Sequence, residues 1–185
     1  MTNYSIISPN AKLGNNVKIG RFCIIEDNVT IGDGSVIEDY AMILSGSTIG
    51  ANTKIGTYCK VGKNVSIGNK CSFTSFCEIR DNCKLGNNVS MGSRGTLSAG
   101  TEVDDDVVMK YGFVVTDTPD LKHNDVKQVG RLGKGSRYGA NVVIMPAVKI
   151  GSNAEIGACS QVRHDVGDNE IWYGSPAKFY KKNAQ

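Results

Sequence analysis

The sequence predicts an all-β fold: a left-handed parallel β-helix of about eight triangular coils, with one excursion loop and a short C-terminal helix. Three observations predict it. Large apolar residues recur every sixth position from Ile7 to Val115. A small or β-branched residue follows each of them four positions later, from Ala11 to Val107. Gly, Asn and Asp crowd the positions between.

The large series runs Ile7, Leu13, Ile19, Ile25, Ile31, Ile37, Ile43, Ile49, Ile55, Val61, Ile67, Phe73, Ile79, Leu85, Met91, Leu97, Val103, Met109 and Val115. A strand turns its side chains alternately in and out, so each hexad offers one large inward residue, a turn and one small inward residue. Gly and Asn tolerate the left-handed backbone that such turns require. Three hexads close one coil of about 18 residues, and coils stack at about 4.8 Å, the ordinary spacing between strands. No coil is stable alone, because each buries its apolar ladder against its neighbours.

Composition agrees with a thin, repetitive core. Aromatics are 7% of the 185 residues, Gly occurs 22 times and Pro 4 times, which argues against a core built on Phe and Trp. The formal charge of +3 is too small to imply nucleic acid. The first residues carry no basic stretch followed by an apolar run, and no segment approaches the roughly 18 apolar residues of a membrane span. A cytoplasmic location is expected. That compartment argues against disulfides among the 6 cysteines. Cys23, Cys59, Cys71, Cys77 and Cys83 all occupy the small inward slot, where a thiol acts as a small hydrophobe. Cys159 lies off that slot and is expected to be structural as well.

The register breaks once. It resumes at Leu132, Tyr138, Ile144, Ile150, Ile156 and Val162, and the step from 115 to 132 is not a multiple of six. Residues 118–131 are therefore expected to leave the helix as a polar loop that carries Pro119 and His123. Such an excursion from a regular solenoid is a candidate functional loop. The β-helix is expected over 1–166. A cap over 167–185 follows, in which Pro176 opens a short helix and Trp172, Tyr173, Phe179 and Tyr180 cover the last coil.

Three segments carry a resemblance. Tyr138–Gly151 (YGANVVIMPAVKIG) is similar to "IGANAVILPGVTIG", Glu155–Val166 to "VIGAGSVVTKDV", and Ile171–Lys178 (IWYGSPAK) to "IVAGNPAK". These are segments of the hexapeptide-repeat acyltransferases. Asp106–Asp117 followed by Pro119 resembles "DNVFIGHGVMFINDKYP", from members that N-acylate nucleotide-linked amino sugars for bacterial surface polysaccharides; Thr116 replaces its Asn and Tyr111 its His. The resemblance implies acetyl-CoA as co-substrate, no metal, and a homotrimer with sites at the subunit interfaces. It also implies that Ala140 and Ala158 let the pantetheine arm approach the backbone, and that Arg163 and Lys178 meet the phosphates.

Acyl transfer from a thioester needs a base for the nucleophile's proton and donors for the oxyanion. His123 is the candidate base, because an imidazole titrates near neutral pH. Asp117 would orient His123 or bind the substrate amine. Arg94, Lys110 and Tyr111 are candidate substrate-lining residues, and His164 is read as non-catalytic. An O-acetyltransferase of a sugar or small alcohol is the nearest rival. A zinc carbonic anhydrase on the same solenoid would need three imidazoles, and the chain has only 2 histidines. A non-catalytic scaffold is the remaining reading.

Overall fold

The computed structural model describes residues 4–123, 125 and 127–183. It is a parallel β-solenoid whose coils each place one two-residue strand in each of three sheets. The first sheet runs from Ile6–Ile7 to Gln161–Val162 and has 9 strands. The second has 8, from Lys12–Leu13 to Lys149–Ile150. The third has 10, starting at Lys18–Ile19. The coils number about nine rather than eight, since the first sheet gains one strand in every turn.

The hexad explains each strand. Its second residue points inward: Ile25, Ile43, Ile55, Leu97 and Val115 are each no more than 1% exposed. Equivalent residues pair 18 positions apart, as Ile25 does with Ile43, so the ladder stacks like on like. The small slot is also sealed. Cys23, Cys59, Cys71, Cys77 and Cys83 are buried, as expected, and all are free thiols. Buried hydroxyls in this slot join successive coils. Ser47 Oγ donates to the Gly62 carbonyl at 2.7 Å and accepts from Val65 N–H at 3.0 Å. Among the described residues no buried side-chain nitrogen or oxygen lacks a partner. Phe113, the one bulky residue in a small slot, is accommodated against Tyr138, with ring centroids 4.8 Å apart.

Asp and Asn crowd the corners because their side chains cap backbone donors of the coil before. Asp33, Asp81 and Asp105 accept from the N–H groups of Asn15, Lys63 and Asn87 at 2.7 to 2.8 Å. Each such bond satisfies a donor that the turn would otherwise leave open.

Between Val114–Val115 and Arg131–Leu132 the chain leaves the solenoid, as expected. Val103 pairs with Leu132, 29 positions on, where Leu85 pairs with Val103 at the usual 18. The expected end of the loop at 131 falls inside the strand Arg131–Leu132.

The C-terminal cap differs from expectation. Among the described residues there is no helix. Glu170–Gly174 continues the third sheet in parallel with Glu155–Ile156, and Ala177–Lys182 returns antiparallel to it. Pro176, preceded by a cis peptide bond, sits in the turn between these two strands. The open edge of the third sheet presents unpaired N–H and C=O groups, and a hairpin satisfies them where a helix would not. Trp172 packs against the core and Ala177 is buried, whereas Tyr173, Phe179 and Tyr180 are each more than half exposed.

Candidate functional site

Three columns of corners run along the solenoid, and they sort the sequence-predicted residues. The corner from third sheet to first contains Arg94, Lys110, Tyr111, Ala140 and Ala158. Its backbone is laddered: Arg94 N–H donates to the Ser75 carbonyl, Asn141 N–H to that of Tyr111, and Cys159 N–H to that of Ala140. Arg94, Lys110, Tyr111 and Ala158 are exposed and Ala140 is half-buried. A Cβ on Gly139 would lie 2.5 Å from the Ala158 backbone nitrogen, so glycine alone lets these two turns approach. With Ala at 140 and 158, one coil apart, the strip above Tyr111 carries no large side chain.

The corner from first sheet to second holds the excursion and, at its last coil, Arg163. His123 is exposed, and its Nδ1 lies 2.8 Å from Asp120 Oδ2. The histidine holds the Asp120 carboxyl below its usual pKa, chiefly through that hydrogen bond, and the Lys122 N–H adds to the effect. Asp120 is thus ionised at neutral pH and fixes the orientation of the imidazole.

Asp117 does not orient His123. Thr118 Oγ1 donates to its Oδ1 at 2.9 Å, Lys127 Nζ lies 3.6 Å from the same oxygen, and Gln128 N–H donates to its carbonyl. Lys127 also donates to Thr118 Oγ1 at 2.7 Å. Asp117 therefore ties the outgoing and returning arms of the loop together. The reason is local: Asp120 stands three residues before His123 in one turn, with the His123 N–H donating to the Asp120 carbonyl. The spacing D-x-x-H, visible in the sequence, is the signal that identifies this partner.

Arg163 and Lys178 are not brought together. Arg163 Nε donates to Gln161 Oε1 at 2.8 Å on the loop-bearing corner, whereas Lys178 pairs across the hairpin with Tyr173. His164 is exposed beside Arg163. Cys159 is exposed at its corner, unlike the five core thiols. A surface depression of about 500 Å³ lies on the remaining corner between Lys134, Arg137, Asn153 and Glu155 and holds none of the expected residues. In it Lys134 Nζ lies 3.9 Å from Asp106 and Glu155 accepts from Asn183. Among the described residues no group of three His, Cys, Asp or Glu side chains is placed to hold a metal ion.

The repeats match the family model described as "Bacterial transferase hexapeptide (six repeats)" at residues 10–45, 28–63 and 131–164. In these stretches the chain carries the repeats of that hexapeptide transferase family. Among individual relatives, the galactoside O-acetyltransferase of Lactococcus lactis subsp. lactis is 43% identical over 44 residues, 24% of this chain and 21% of that protein. The matched stretch thus spans about a fifth of that relative's length. A UDP-N-acetylglucosamine acyltransferase from Bacteroides fragilis superposes with a TM-score of 0.73 at 20% identity, covering 98% of this chain and 74% of its own. The serine acetyltransferase of Neisseria gonorrhoeae gives 0.53 at 24% identity over 59% of this chain and 42% of its own. At these identities the superpositions establish a shared fold.

Proposed function

We propose that this protein is an acyl-CoA-dependent acyltransferase that N-acetylates a nucleotide-linked amino sugar for bacterial surface polysaccharide. The reading includes a left-handed winding, a cytoplasmic location and a homotrimer. One observation carries it. The bare strip at Ala140 and Ala158 and the exposed Lys110 and Tyr111 share one corner, while the His123 loop stands on another at a height between Tyr111 and Ala140. Copies packed side by side about an axis parallel to the solenoid would bring a loop from one against the strip of the next.

In that arrangement the pantetheine arm lies along Ala140 and Ala158, with Arg163 or Lys178 meeting phosphate by charge. Arg94, Lys110 and Tyr111 line the acceptor's side, and Asp117 either meets the acceptor amine or only anchors the loop. The acceptor nitrogen attacks the thioester carbonyl carbon, and His123 takes the proton that nitrogen loses. Backbone N–H groups stabilise the tetrahedral oxyanion. Collapse breaks the C–S bond, and the departing thiolate regains a proton from the imidazolium. Asp120 keeps the imidazole aligned throughout. Because a free amine is already nucleophilic, positioning supplies much of the rate.

A second reading, O-acetylation of a sugar or small alcohol, is favoured by the His123–Asp120 pair. A hydroxyl is a weak nucleophile and needs a working base. The short stretch shared with a galactoside O-acetyltransferase points the same way. Thiol release from acetyl-CoA, measured against aminated nucleotide sugars and plain sugars or alcohols, separates the two. Turnover confined to an aminated nucleotide sugar supports the first reading. Turnover with hydroxyl acceptors alone, abolished by His123→Ala, supports the second. No thiol release and no acetyl-CoA binding would overturn both.

A further inference from the structure

We propose that the free face of Phe76 is a stacking platform for the base of a nucleoside diphosphate, and that Arg94, one coil above, meets the diphosphate. The inference rests on the reading that the acceptor carries a nucleotide. It adds where that nucleotide lies on the corner from third sheet to first, and which way it runs.

Tyr4, Phe22, Tyr40, Tyr58 and Phe76 recur at steps of 18 along that corner and stack ring on ring, with centroids 4.7 to 5.4 Å apart and planes within 11° of parallel. Phe22, Tyr40, Tyr58 and Phe76 hold φ between 57° and 61°, a region that bulky side chains avoid. At the equivalent turn position the other two corners use residues such as Asn16, Asn28, Gly34, Gly46, Asn52 and Asn64. The rings are 41% to 65% exposed, so the core returns little of that backbone cost. A strained backbone kept without a folding gain marks a functional feature.

The column ends in an open face. Phe22, Tyr40 and Tyr58 each have a ring on both sides. Phe76 stacks on Tyr58 below it at 5.1 Å, and among the described residues no ring or cation covers its other face. The rings beneath fix its plane, so the free face looks up the corner toward Arg94.

That stretch of the corner is cationic. From residue 56 upward its turns read GTYC, TSFC, GSRG, KYGF, GANV and GACS, and their only charges are Arg94 and Lys110. Neither makes an ion pair or a side-chain hydrogen bond among the described residues. The acids of this corner, Glu38 and Asp39, lie lower and are taken by Lys54 and Arg21. Glu78, on the adjoining sheet, lies 3.7 Å from Lys60. Arg94 also holds a φ of 61°, where Gly or Asn is the ordinary choice. A flat base stacks on an aromatic face, and a guanidinium donates two parallel N–H bonds to phosphate oxygens. A free sugar or small alcohol could use the ring but carries nothing for Arg94.

The spacing gives the direction. Phe76, Arg94, Tyr111 and Ala140 stand on successive coils. Three coil spacings are about 14 Å. A base on Phe76 therefore puts the diphosphate beside Arg94 and Lys110, and the sugar beside Tyr111 and Ala140, where the thioester is proposed to lie.

Calorimetry with ADP, GDP, CDP, UDP and thymidine diphosphate, without acyl donor, tests the platform. Phe76→Asn suits the backbone, because Asn holds the same φ at Asn52 and Asn64. It is expected to weaken the best-bound nucleotide about tenfold or more and to leave inorganic pyrophosphate unchanged, whereas Arg94→Gln weakens both. Phe22→Asn, three coils lower, is expected to change neither. Hydroxyl-radical footprinting of the wild type needs no variant: the same nucleotide is expected to protect Phe76 and leave Phe22 labelled as before. Binding by no member of the panel, wild-type affinity in a folded Phe76→Asn, or unchanged labelling of Phe76 with nucleotide bound would overturn the proposal. Activity is read separately. Nucleotide binding that protects Phe76, without thiol release, upholds the platform and removes the N-acetylation reading. Thiol release with an aminated nucleotide sugar whose KM is unchanged in Phe76→Asn upholds that reading and overturns the platform.

Discussion

His123 Nδ1 lies 2.8 Å from the carboxylate of Asp120, while Asp117, six residues before the histidine, is bonded within the loop base to Thr118 and lies beside Lys127. The two acids therefore have separable consequences. Asp120→Asn keeps the size of the side chain but removes the charge that aligns the imidazole. It is expected to lower kcat by about tenfold with little change in KM. Asp117→Asn is expected to raise the protease sensitivity of the loop before it lowers kcat. Steady-state kinetics and limited proteolysis of both variants check this, and a kcat effect confined to Asp117→Asn would contradict it.

Thiol chemistry reads the small slots directly. Five cysteines are buried and Cys159 is exposed next to Ala158. Native protein is expected to release one fast equivalent in a thiol-disulfide titration and the remaining five only on unfolding. Cys159→Ser removes the fast phase. Acetyl-CoA at saturating concentration slows it if the pantetheine arm covers this strip. Two or more fast equivalents would contradict the buried placement.

Alkaline stability follows from the same slots. Burial pushes the Cys83 thiol up to about 11 from its ordinary 9.0. The native state then holds that proton more tightly than the unfolded chain, so stability is full below about pH 9 and falls as pH rises toward 11. At pH 10.5 the loss from this group is about 2 kcal/mol. Cys83→Val, matching Val29 and Val65 in the same column, is expected to remove that part of the decline in urea unfolding between pH 7 and 10.5. Equal declines in variant and wild type would contradict it.

The period of six made the solenoid, its inward residues, the five buried thiols and the break after Val115 legible, because each hexad repeats one local geometry. Events that do not repeat were harder to read. Pro176 suits a helix start by local rules, yet the open sheet edge above Glu155–Ile156 drew Glu170–Gly174 into a strand. Asp117 is an acid beside the loop, but turn geometry selects Asp120 as the partner of His123. The aromatic column was in view as Tyr4, Phe22, Tyr40, Tyr58 and Phe76 at a period of 18, three hexads. A period of six alone merges its corner with the other two.

In the proposed assembly a loop from one copy and a corner strip from another make one site. Mixing His123→Ala subunits with Ala158→Trp subunits after reversible dissociation tests it most directly, using the acceptor found by thiol release. Each variant alone is expected to be folded and impaired, and the mixture to regain about a quarter of the activity that separates it from wild type, as random assembly of intact loop with intact strip requires. A mixture that exchanges subunits yet stays inactive would contradict a site shared between copies.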